Sequence, residues 1–94
     1  MMKKPYTDVV LTKHTWIRTF DPSITDSDEY VWHQDAETRT ITVLEGVGWK
    51  FQFDDEMPFD ININDTFTVP KMIYHRLIPN NSFLKILIEE REKI

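Results

Sequence analysis

The chain has 94 residues, 40% of them apolar and 29% charged, the size and balance of one globular domain spanning 1–94. A net charge of −5 excludes the basic face that general nucleic-acid binding needs, and no apolar run reaches the ~20 residues of a membrane span. Cysteine is absent, which excludes disulfides, thiol catalysis and zinc–thiolate sites together and is compatible with a reducing, cytoplasmic setting.

The opening "MMKKPYTDVVLTKH" carries a lysine pair but no apolar stretch after it, so no secretory signal is expected. Alternating residues in "DVVLT" (8–12) and "TWIRTF" (15–20) predict two N-terminal strands. "DPSITDSDE" (21–29) is a polar loop, and "YVWHQD" (30–35) is expected as the next strand. "AET" (36–38) connects it tightly to "RTITVLE" (39–45), a cleanly alternating strand rich in β-branched residues. Gly46 and Gly48, the only two glycines, bracket a turn. "WKFQF" (49–53) alternates large aromatics with polar residues, "DDEMP" (54–58) reads as a turn, and "FDINI" (59–63) as a strand. "NDT" (64–66) turns again, and "FTV" (67–69) runs into Pro70. "IYHRLI" (73–78), a "PNN" turn (79–81) and "FLKILIEE" (83–90) complete the set, with "EEREKI" expected to fray or form a short helical turn in solvent. One alanine against ten isoleucines leans the same way. Turn signals every ~8–12 residues without a long helical period predict an antiparallel sandwich or barrel.

Two spaced patterns make the fold more specific. The first is His33, one residue, Asp35, three residues, Arg39, six residues, Gly46. The second is Asn64, five residues, Pro70, one residue, Met72, two residues, His75. Over about residues 30–90 they resemble the two signature motifs of the cupin superfamily: a histidine pair, a glutamate and a glycine, then glycine, Pro-x-Gly and histidine. "VLEG" (43–46) and "FTVPKMIYH" (67–75) match that wording too. The resemblance implies an all-β, cupin-type double-stranded β-helix, a jelly-roll barrel of antiparallel strands.

The departures fall on the metal motif. Asp35 stands where the family places its second histidine, Arg39 where it places the glutamate, and Asn64 and Met72 where it places glycines. Asparagine tolerates the left-handed conformation that glycine supplies, whereas Met72 suggests a Pro70 turn of different shape.

In the cupin register His33 and Asp35, two apart on one strand, face inward with Val31, and Arg39 and His75 join them. Burying such groups is costly unless they pair with each other or with a metal. Three arrangements satisfy that demand. His33, Asp35 and His75 hold a divalent iron, manganese, nickel or zinc ion, with Arg39 anchoring an anionic ligand beside it. Or Arg39 forks onto Asp35, no metal binds, and the histidines line a small-molecule pocket. Or the cluster is closed and takes no ligand. Arginine in place of glutamate weighs against the metal. At ~6 Å and an effective dielectric of about 20, each repelling unit charge costs on the order of 3 kcal/mol, doubled for a divalent ion.

Gln52 is a candidate pocket hydrogen-bonder on the parity opposite Trp49, Phe51 and Phe53, which are expected to pack in the core. Glu37 reads as a solvated turn carboxylate and His14 as a surface or edge histidine. Trp16, Tyr30 and Trp32 are candidates for a sheet–sheet interface, and a chain this short gains from pairing with a second copy, so a homodimer is expected. Three functions follow from the resemblance: a metal-dependent cupin acting on a small anionic molecule, a metal-free cupin binding a sugar or carboxylate, and a structural or assembly cupin without chemistry.

Overall fold

The computed structural model describes residues 6–24 and 27–91. Its eight strands are β1 (Tyr6–Thr12), β2 (Thr15–Phe20), β3 (Arg39–Glu45), β4 (Lys50–Phe53), β5 (Phe59–Asp60), β6 (Thr66–Val69), β7 (His75–Ile78) and β8 (Leu84–Glu90). All pairings between strands are antiparallel. They form a five-stranded sheet of order β1-β2-β8-β3-β6 and a three-stranded sheet of order β5-β4-β7.

The inward face follows from the alternation read in the sequence. On the central strand β8, Leu84, Ile86 and Ile88 are buried, flanked by Phe20 of β2 and by Ile41 and Val43 of β3. The small sheet answers with Phe51 and Leu77. Trp49, fully buried, is pinned by its indole N–H donating to the Ser82 carbonyl at 2.8 Å. Ring contacts lock the faces together, Phe20 on Trp49 at 5.8 Å and Phe51 on Phe67 at 5.0 Å between centroids. Burying side chains of this size contributes roughly 1.5–3 kcal/mol each, the main force holding the sheets face to face.

Two predicted strands change. "FDINI" is a strand only at Phe59–Asp60, because a turn around Asp65 takes over, its carboxylate accepting from the Asn62 N–H at 2.8 Å. "YVWHQD" is not a strand. Asp28–Tyr30 form a 3-10 turn capped by Ser27, whose hydroxyl accepts from the Glu29 N–H. Of the rest only His33 pairs, in a single bridge to His75 with reciprocal backbone hydrogen bonds of 3.0 and 2.8 Å. The ladder stops there because Met72, at φ 62, turns its N–H onto the Asp35 carbonyl at 2.8 Å. Asn64 takes a left-handed φ of 75, as its side chain allows. Met72 does so too, so the Pro70 turn keeps a conformation that favours glycine despite the side chain.

The chain end also differs in part. Glu89 and Glu90 belong to β8, and only Arg91 follows among the described residues; the predicted helical turn reaches 92–94, which lie outside them. Trp16 and Tyr30 pack against the core, leaving Trp32 exposed beneath the Arg76 guanidinium.

Candidate functional site

A cavity of about 40 Å³ opens between the sheets, lined by His33, Asp35, Arg39, His75, Arg18 and Glu29 among apolar side chains. Four of the five residues singled out in the sequence therefore meet. Gln52 is not among the lining: on the other side of β4, it accepts from Arg76 at 2.9 Å and donates to the Glu56 carbonyl at 3.0 Å. His14 is not among the residues lining the cavity and accepts the Glu90 N–H at its backbone carbonyl.

His75 is the most buried polar group of the site. It begins β7, is 4% exposed, and stacks on Phe51 at 5.4 Å and 16°. His33 meets it edge-on, with ring centroids 4.4 Å apart. Each ring is oriented the same way from behind. His33 Nδ1 lies 2.8 Å from the Val31 carbonyl, and His75 Nδ1 lies 2.8 Å from the Ile73 carbonyl. A carbonyl only accepts, so both Nδ1 atoms carry hydrogen and both Nε2 atoms are turned to the remaining partners.

Those partners are carboxylates. Glu29 reaches His33 Nε2 at 3.3 Å, and Asp35 reaches His75 Nε2 at 3.2 Å. Each carboxylate is backed by an arginine. Arg18 touches Glu29 at 3.2 Å, and Arg39 touches Asp35 at 3.5 Å. Each arginine is held in turn by an outer acid: Asp8 takes Arg18 at 2.8 and 3.0 Å, and Glu90 takes Arg39 at 3.3 Å. Aromatic rings lie under both cations, Tyr6 beneath Arg18 and Trp16 beneath Arg39. The result is two matching arms, acid–arginine–acid–imidazole, that meet where the two rings touch.

This network alters the charge argument made from sequence. Arg39 is not a bare cation beside a metal, since Glu90 and Asp35 both neutralise it. With neutral imidazoles the two arms hold four carboxylates and two guanidiniums, a net charge of −2 that a divalent cation would balance. Burial disfavours the Glu29 and Asp35 charges, but for Glu29 the His33 hydrogen bond and Arg18, and for Asp35 the His75 hydrogen bond and Arg39, outweigh it and hold both carboxyls below their ordinary range. Burial likewise opposes the charge on His33, yet the hydrogen bonds to Glu29 and the Val31 carbonyl raise its pKa. Arg18 is raised too, its desolvation outweighed by Asp8 and Glu29.

The donor set fits a metal. One ligand atom each from His33, Asp35 and His75 lies within 4.8 Å of the others. At metal–ligand bonds of ~2.1 Å, donors on opposite sides of an ion sit about 4.2 Å apart, so the three are near coordinating geometry. Metal-bound histidines characteristically donate the other ring N–H to a carbonyl or carboxylate, as both do here.

Arg18, Glu29 and Glu90 were not singled out in the sequence. Arg18 carried a signal, as a charge on the inward parity of an apolar strand. Glu29 stands four residues before His33, in a stretch read as a polar loop, and Glu90 lies in a stretch read as a solvated end. Glu90 could not be paired without the register that sets it opposite Arg39, nor Glu29 without the fold that brings Arg18 to it.

No protein-family model matches the sequence, and no curated protein matches it. Solved structures do. A cupin-2 domain containing protein from Shewanella frigidimarina is 18% identical, covering 97% of this chain and 85% of that one, with a TM-score of 0.65. An RmlC-like cupin family protein with a double-stranded β-helix fold, from Methanocaldococcus jannaschii, is 18% identical, covering 96% and 92%, with a TM-score of 0.59. This chain has the cupin fold. The DMSP lyase DddQ from Ruegeria pomeroyi shares it at 13% identity and a TM-score of 0.70, and the present chain spans 48% of its length. At these identities the cupin likeness establishes the fold alone; the site rests on its own geometry.

Proposed function

We propose that this cupin-fold chain binds one divalent metal ion through His33 Nε2, Asp35 and His75 Nε2, with Arg39 positioned for a small anionic ligand beside it. The observation that carries the reading is the paired orientation of the imidazoles, each Nδ1 engaged by a carbonyl and each Nε2 turned to a carboxylate. Two histidines and one carboxylate suit ferrous iron, and manganese, nickel or zinc are also compatible. Such an ion supplies Lewis acidity to an oxygen ligand. The protein's own part is to orient the rings, to neutralise charge through the arms, and to offer Arg39, whose Nε and Nη1 face Glu90 and Asp35, as a donor to an anion. A cavity of about 40 Å³ holds an ion and a few waters rather than a sugar, so the anion is small or enters from the mouth.

A second reading is a metal-free cupin with a closed polar cluster, favoured by the same 3.2 and 3.3 Å contacts, which satisfy both rings if each carries two protons. Metal analysis of protein purified without a chelating tag separates the two. Stoichiometric metal, lost in His75→Ala, supports the first. A metal-free protein whose melting temperature no divalent ion raises supports the second.

The homodimer expectation finds support in β1, the outer strand of the large sheet, where Val9, Val10 and Leu11 are 62%, 71% and 53% exposed. Pairing two β1 edges would cover them, and light scattering that returns a monomer at high concentration would remove this reading.

A further inference from the structure

Glu29 is used by neither cupin-like motif, yet it occupies, on the His33 arm, the place that Asp35 occupies on the His75 arm. Resting on the metal reading above, we infer that Glu29 is a fourth protein ligand, supplied from the 3-10 turn, and that Arg18 and Asp8 hold it there.

Four observations carry this. Glu29 Oε2 stands 3.3 Å from His33 Nε2, as Asp35 Oδ2 stands 3.2 Å from His75 Nε2. Because His33 Nδ1 is committed to the Val31 carbonyl, Nε2 is the atom left to bind an ion, and Glu29 is the carboxylate in contact with that atom; it lies outside the 4.8 Å group formed by His33, Asp35 and His75, so ligation swings its carboxylate in toward the ion. The Glu29 side chain is built in rather than solvated: it is 24% exposed, its backbone N–H is capped by Ser27, and its other oxygen is taken by Arg18 at 3.2 Å. Arg18, itself buried, is fixed by a two-point contact to Asp8 and by the Tyr6 ring, which is more support than a stray surface carboxylate receives.

Cobalt(II) is the probe, because its visible absorption reports ligand number and type as well as binding. Parent, Glu29→Gln, Glu29→Asp and His75→Ala proteins are titrated with cobalt(II) by calorimetry and by absorption, after circular dichroism has confirmed that each folds. The inference expects Glu29→Gln to bind at least about 100-fold more weakly with a changed visible band, at or beyond the range for losing a mere orienting partner, and Glu29→Asp to recover part of both. Parent-like affinity in Glu29→Gln, or an unchanged cobalt(II) band at weaker affinity, overturns the ligand role while leaving the three-residue site standing. Failure of the parent to bind cobalt(II) at all overturns both the inference and the metal reading on which it rests.

Discussion

The two histidines have the same contacts and unlike foundations. His75 sits on a regular strand, 4% exposed and stacked on Phe51. His33 sits on an irregular segment joined to β7 by one bridge, with its side chain 20% exposed and its carboxylate partner delivered by a 3-10 turn. The first is held by the core and needs no ligand to stay in place. The second is held by hydrogen bonds and an ion pair, which water and protons can contest. A site assembled from one fixed and one conditional half is ordered further by whatever ion bridges them, because binding stabilises the conditional half by linkage.

The sharpest test of that contrast is truncation of each ring. With metal removed by a chelator, His75→Ala is expected to cost about 2–4 kcal/mol in urea unfolding, since it empties a buried position beneath Phe51. His33→Ala is expected to cost about 1 kcal/mol or less, as its ring is partly solvated. Both should abolish tight metal binding. Equal costs for the two would break the comparison.

The pH dependence separates the halves next. His33 is raised above its ordinary 6.5, so its contribution is present in full below 6.5 and is lost as pH rises through the higher folded value. Glu29 and Asp35 are lowered from 4.5 and 3.8, so theirs are present above those values and are lost as pH falls through the lower folded ones. The metal-free protein should therefore lose some stability on going from pH 6 to pH 8. The rise in melting temperature caused by added metal should grow over the same interval, because a ligating imidazole must be unprotonated. Glu29→Gln should flatten the metal-free trend. A metal-free protein more stable at pH 8 than at pH 6 would contradict the assignment.

A smaller effect is expected at Met72, whose left-handed backbone anchors the Asp35 carbonyl on the His75 side. Met72→Gly relieves strain of ~1–2 kcal/mol against an entropic cost of ~0.5–1 kcal/mol, so a net gain of up to about 1 kcal/mol should appear in chemical denaturation with metal affinity retained. The least change is expected at Tyr30 on the His33 side. Its hydroxyl is buried without a hydrogen-bond partner, and burial, then the nearby Glu29 and Asp21 charges, push its pKa up to about 12. Tyr30→Phe should be neutral or stabilising by up to about 1 kcal/mol in the same assay. A loss above that would mean the hydroxyl has a partner.

Most strands were legible because a period of two marks a half-buried strand at once. "TWIRTF" and "RTITVLE" match β2 and β3 residue for residue. "YVWHQD" misled for the same reason: it alternates, but its neighbour's turn at Met72 denies it a ladder. His33, Asp35, Arg39 and His75 were found by spacing. Glu29 and Glu90 were not, since a carboxylate looks the same whether it faces water or an arginine on another strand.

The order of residues alone determined the antiparallel class, the inward parity of β3 and β7 and the four residues of the two motifs, all of which depend on neighbours a few positions apart. Tertiary structure decided the charge of the site. Whether Arg39 repels an ion or is cancelled by Glu90 depends on β3 and β8 lying side by side, and whether Glu29 is backed by an arginine depends on β2 bringing Arg18 to it. Electrostatic energy falls with distance in space, and separation along the chain does not report that distance.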